Sequence, residues 1–92
     1  MYKYSELIAE GMAPHAATAF LELQKAGCPA KIWDGDERGH FWLDAEHPGA
    51  SEWLDYWSMD KIAGSKKLND ILEKNGLYFE WCNPGYAHVY SM

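Results

Sequence analysis

The sequence predicts an α+β fold, with two helix-then-hairpin units forming a mainly antiparallel four-stranded sheet packed with helices on one face. Three observations carry this expectation. Apolar residues recur at helical spacing in two stretches, from Ala13 to Leu23 and from Leu68 to Leu72, and each stretch is followed by a glycine. Runs of β-forming residues flank glycine-bearing turns at 35–39 and 83–85. Hydrophobic residues make up 48% of 92 residues, which suffices for one modest core and not for two, so residues 1–92 are read as one domain.

Ser5 is suited to cap a first helix through Glu10, with Glu6 in its first turn and Gly11 as its stop. Pro14 reads as the first residue of a second helix, which runs to about Ala26. Ala13, Ala17, Phe20 and Leu21, flanked by Ala16 and Leu23, form its apolar stripe, and Gly27-Cys28-Pro29 ends it. A first hairpin joins Ala30 to Asp34 with His40 to Asp44 around the turn Gly35 to Gly39.

Glu46 to Ala50 breaks the pattern, and Ser51 is expected to cap a helix through about Met59 that places Trp53, Leu54 and Trp57 on one face. The i to i+4 spacing of Trp53 and Trp57 argues that both belong to the core. Gly64-Ser65 starts another helix, whose buried stripe is Leu68, Ile71 and Leu72 and whose stop is Asn75-Gly76.

The last hairpin pairs Leu77 to Cys82 with Tyr86 to Ser91. A three-residue turn, Asn83-Pro84-Gly85, puts Leu77, Phe79, Trp81, Ala87 and Val89 on one face. Tyr78, Glu80, Cys82, Tyr86, His88 and Tyr90 then share the other. A two-residue Pro84-Gly85 turn mixes these faces, so the three-residue register is preferred.

Charge is distributed unevenly. Fourteen acidic and eight basic residues give −6, but between Trp33 and Asp60 eight acids face only Arg38, leaving −7 there and +1 on the remainder. Such a field repels nucleic-acid phosphate and attracts basic surfaces. Four of the five tryptophans lie in the same segment, and aromatics set among charges are a common composition for interface anchors. The bland alternative is an acidic surface kept for solubility.

Partner-binding candidates in this segment are Trp33, Asp34, Asp36, Glu37, Trp42, Asp44, Glu46, Glu52 and Asp55. Tyr78, Tyr86 and Tyr90 around His88 form a second candidate surface, because tyrosine combines contact area with a polar tip.

Catalytic and metal signatures are weak. His40 and His47 lie near Asp44 and Glu46, and a strand would put His40 and Asp44 on one side, but no recognised ligand spacing is present and no metal or cofactor is expected. His15 reads as a plain surface residue. Cys82 and His88 share a face of the last hairpin without being opposed, so a Cys-His dyad is disfavoured, and Glu80 with His88 reads as a cross-strand contact. Gly64-Ser65-Lys66-Lys67 lacks the upstream glycine and strand of a phosphate loop, and its two lysines oppose the helix dipole unless an acid answers them. Cys28 and Cys82 are too few for a disulfide framework and are read as reduced thiols, although a bridge joining the two ends of the domain is an alternative.

No apolar run approaches bilayer length and the first residues lack a signal-peptide build, so a cytoplasmic location is expected. The expected function is a small acidic inhibitor or modulator that docks on the basic, nucleic-acid-binding surface of a larger protein as a DNA mimic would, without binding nucleic acid itself. Phage and mobile-element proteins that block host defence, anti-CRISPR proteins among them, offer an analogy of size and charge only. An accessory subunit or homodimer using the tyrosine face is the alternative, and a small Cys/His enzyme a third.

Overall fold

The computed structural model describes residues 2–32 and 39–92. Its elements follow the expected order except that one expected helix is missing. Helices α1 (Tyr4–Ala9) and α2 (Pro14–Lys25) precede strands β1 (Ala30–Lys31) and β2 (Phe41–Asp44). A single 3-10 turn at Ala50–Glu52 leads into helix α3 (Lys66–Lys74), followed by β3 (Leu77–Asn83) and β4 (Tyr86–Ser91).

The four strands form one antiparallel sheet in the order β1-β2-β4-β3. The two hairpins are joined through β2 and β4, whose register sets Phe41 opposite Val89 and Leu43 opposite Ala87. These side chains and Leu77 face the helices. They meet Leu7 of α1, Ala16, Phe20 and Leu23 of α2, and Leu68 and Leu72 of α3 in one buried core. Phe20 and Phe41 pack edge to face at 5.1 Å, an arrangement favoured by the ring quadrupoles. Lys74 of α3 pairs with Glu22 of α2 across the helical layer.

The helix ends show which local signals decided the boundaries. In α3, Ser65 Oγ accepts from the Leu68 N–H at 3.1 Å, and Gly76 takes the left-handed conformation that ends the helix. Helix α1 starts one residue before the expected Ser5 cap. Lys3 is its N-cap, and the Glu6 carboxylate accepts from the Lys3 N–H at 2.8 Å, so the acid three residues on outweighed the serine hydroxyl.

The predicted helix from Ser51 to Met59 is absent. After the 3-10 turn the chain forms a closed loop, with Asp55 Oδ1 accepting from the Trp57 N–H at 3.0 Å and the Asp55 N–H donating to the Lys61 carbonyl at 3.1 Å. Aspartate here serves a turn, competing with the helical ladder. Trp53 and Leu54 are buried, whereas Trp57 is 79% exposed, so the three do not share a face.

The last hairpin combines both turn lengths weighed from its sequence. Trp81 pairs with Ala87 and Glu80 with His88, as the three-residue register requires. Asn83 rather than Cys82 then pairs with Tyr86, so Cys82 is the extra residue of a β-bulge and the chain turns on Pro84-Gly85 alone. Asn83 Oδ1 accepts from the Gly85 N–H at 2.7 Å and holds this turn.

Candidate functional site

Two surfaces carry the features of a binding site. The first is the loop between the 3-10 turn and α3. Its neck is closed by the Ser65 N–H donating to the Trp53 carbonyl at 2.8 Å, and its interior by Ser58, Lys61 and Ile62 backbone bonds. Trp53 plugs the neck into the core, 2% exposed, beneath the Lys67 ammonium at 4.5 Å from its ring. On the outer side, Trp81 Nε1 donates to the Ile62 carbonyl at 2.6 Å, and Tyr56 packs edge to face on Trp81 and on Trp57.

Gly64 completes the closure. Its φ is +86°, and a Cβ there would lie 2.7 Å from a Phe79 ring carbon, so only glycine lets the loop pass this close to β3. The loop therefore presents Trp57 at 79% and Met59 at 96% exposure on a hydrogen-bonded frame, with Ile62 beside them. Asp55 is half-buried in the same loop, while Glu52 and Asp60 are exposed on it. A compact loop whose ends meet is a common carrier of function.

The second surface is the sheet face turned away from the helices. Trp42 of β2 and Tyr86, His88 and Tyr90 of β4 lie there, with Tyr78 and Glu80 of β3. Trp42 packs on Tyr86 at 5.8 Å and donates Nε1–H to the Ile32 carbonyl at 3.0 Å. His88 is 3% exposed, flanked by Tyr86 and Tyr90, with Tyr90 Oη 3.4 Å from its Nδ1. Tyr78 stacks obliquely on Tyr90 and is exposed.

The site residues expected from sequence are thus divided. Glu52 and Asp55 fall on the loop, and Trp42, Tyr78, Tyr86 and Tyr90 on the sheet face. Asp44 ends β2, and Glu46 follows it beside the Pro84-Gly85 turn, where its carboxylate approaches Gly85. Trp33, Asp34, Asp36 and Glu37 lie outside the described residues. The residue that sequence reasoning misplaced is Trp57, whose spacing from Trp53 suggested a shared buried face; the Asp55-Tyr56-Trp57-Ser58 run, with a turn-forming residue at each end, was the signal against it.

Among the other candidate chemistries, the cysteines are free as expected, whereas His40 is placed differently. Cys28 is buried and Cys82 exposed, and both are free thiols. Burial pushes the Cys28 thiol up to about 12, opposed in part by the nearby Lys67 charge. Lys66 pairs with Asp70 on its own helix at 2.6 Å and Lys67 covers Trp53, so an aromatic ring and an acid one turn on answer the two lysines. His40 does not join Asp44. Its Nε2 lies 2.7 Å from Ser91 Oγ, which also lies 2.8 Å from His15 Nε2, and desolvation together with the His15 charge lowers its pKa. His15 is exposed, as expected, and also reaches Ser91 and His40.

No group of three His, Cys, Asp or Glu side chains is placed to hold a metal ion among the described residues, and no helix among them is long and apolar enough to cross a membrane. No protein-family model, curated protein or solved structure matches this chain.

Proposed function

We propose that this protein is a binding protein, an inhibitor or modulator that inserts Trp57 and Met59 into an apolar slot bordered by basic residues on a larger, nucleic-acid-binding protein. The single observation that supports this reading most is the exposure of Trp57 at 79% on a loop fixed by its own hydrogen bonds. Tryptophan is the side chain most enriched at binding hot spots, and Met59 beside it is soft enough to fit an irregular wall. A frame already ordered before association lowers the entropy cost of binding. The acids of the same segment, Glu46, Glu52, Asp55 and Asp60 among them, supply the field that steers the loop to a cationic partner and repels free nucleic acid.

The test is capture from the native host's lysate with the intact chain, Trp57→Ala, and Glu52→Lys/Asp60→Lys, both exposed acids outside the loop's hydrogen-bonded frame, at low salt and at about 1 M salt, where charges are screened beyond about 3 Å. A nucleic-acid-binding protein retained at low salt, released at high salt, displaced by duplex DNA and lost with either variant fits the reading. Capture of the same protein by all three chains, or capture indifferent to salt, overturns it.

A second reading has its own observation. β3 is a seven-residue edge strand carrying exposed Tyr78, Glu80 and Cys82, and an edge of this kind can add a strand from a second copy. Light scattering on the purified chain decides it, with a dimer mass that reverts to monomer in Glu80→Pro supporting self-association and a monomer at high concentration excluding it.

A further inference from the structure

His15, His40 and Ser91 come from the first turn of α2, the residue before β2 and the end of β4, far apart in the chain. The fold brings them to one point. His15 Nε2 and His40 Nε2 lie 2.8 and 2.7 Å from the same Ser91 Oγ, and the two rings meet edge to face at 5.3 Å.

A hydroxyl has one proton and two lone pairs, so Ser91 donates to at most one of the two rings and accepts from the other or from both. At least one imidazole therefore carries its proton on Nε2 while the hydroxyl bridges the two rings. What the backbone has arranged is a triangle of one oxygen and two imidazole nitrogens open to solvent, since His15 and Ser91 are exposed and His40 half-buried. Around a tetrahedral zinc ion with ligands at about 2.0–2.1 Å, neighbouring ligand atoms stand about 3.3 Å apart. The two nitrogen–oxygen edges, at 2.8 and 2.7 Å, lengthen by about half an ångström when the three atoms become one face of that tetrahedron, with water at the fourth vertex.

We propose that His15 Nε2, His40 Nε2 and Ser91 Oγ form a binding site for a divalent transition ion of the Zn2+ class. Imidazole suits borderline ions of this kind, so the two rings are the principal ligands, and the weaker hydroxyl and water fill the remaining positions. Both rings then carry their proton on Nδ1, which leaves each Nε2 lone pair for the ion. Because the ligands converge only in the folded chain, the ion binds the native state and raises its stability.

The experiment is Zn2+ titration of the intact chain by calorimetry and by thermal melting, with Co2+ as the spectroscopic probe. The intact protein takes up about one Zn2+ per chain, melts at a higher temperature with the ion present, and gives a tetrahedral Co2+ absorption band. His15→Ala, a change at an exposed helical position, weakens the affinity by about tenfold or more and abolishes the melting shift. His40→Asn does the same and serves as a second variant if either substitution perturbs folding. His47→Ala and Cys82→Ser leave the binding unchanged. Failure of the intact chain to bind Zn2+, an undiminished shift in His15→Ala, or loss of binding in His47→Ala or Cys82→Ser overturns the proposal.

Discussion

Residues 66–74 and residues 50–62 are adjacent stretches in which apolar side chains recur at helical spacing, and only the first is a helix. In α3 the stripe of Leu68, Ile71 and Leu72 is continuous and Ser65 caps it. In the preceding stretch Trp53 and Leu54 are buried, and the next member of the stripe, Trp57, stands in solvent. Asp55 accounts for the difference. Its carboxylate takes the Trp57 N–H and its own N–H turns back to Lys61, which closes a loop where a helix would have continued. Periodicity identifies a helix when every member of the stripe has a surface to cover; a tryptophan held out by a turn satisfies the same spacing for a different purpose.

Substitutions can break this comparison, and the largest effect is expected at the neck of the loop. Trp53→Ala removes a buried ring from the core and from beneath Lys67, and urea unfolding should show a loss of about 3–5 kcal/mol. If the loss is below 1 kcal/mol, the neck is not anchored as described.

Cys28 comes next, and its effect depends on pH. Its folded-state pKa is raised from 9.0 to about 12, so the protonated thiol's contribution is complete below pH 9 and is lost as pH rises from 9 toward 12. Unfolding free energy should therefore fall by up to about 1.4 kcal/mol per pH unit above 9 relative to Cys28→Ala. Parallel curves for the two proteins would contradict the burial of this thiol.

Ser65→Ala deletes the cap that separates the loop from α3 and should cost about 1 kcal/mol in the same measurement. Trp57→Ala sharpens the comparison from the other side. Its effect on stability should stay within about 0.5 kcal/mol, as for other surface changes, while partner capture is lost. A large destabilisation would return Trp57 to a structural role.

Most of the architecture was legible because its signals are local or strictly periodic. Pro14 and the alanine-rich stripe announced α2, and Ser65 with Gly76 bracketed α3. Alternation along Leu77 to Trp81 gave the face each residue takes in β3. The bulge at Cys82 was hidden because it depends on a compromise between turn and register that neither strand states alone. The candidate sites were less legible. Trp57 exposure follows from one carboxylate winning a backbone N–H, and the meeting of His15, His40 and Ser91 follows from tertiary placement of three distant segments. No spacing in the chain encodes that meeting.

The strand order β1-β2-β4-β3 has a kinetic consequence. Each hairpin closes locally, but β2 finds its second neighbour only when β4 arrives from the far end of the chain. Neither helix-hairpin unit can therefore complete its half of the sheet before the other is made, and the slow step of folding is expected to be the meeting of β2 with β4, set by closure of the long connection between them. A chain cut between Pro48 and Gly49 should yield two fragments that lack the four-stranded sheet apart and form it on mixing, at a rate that rises with their concentration.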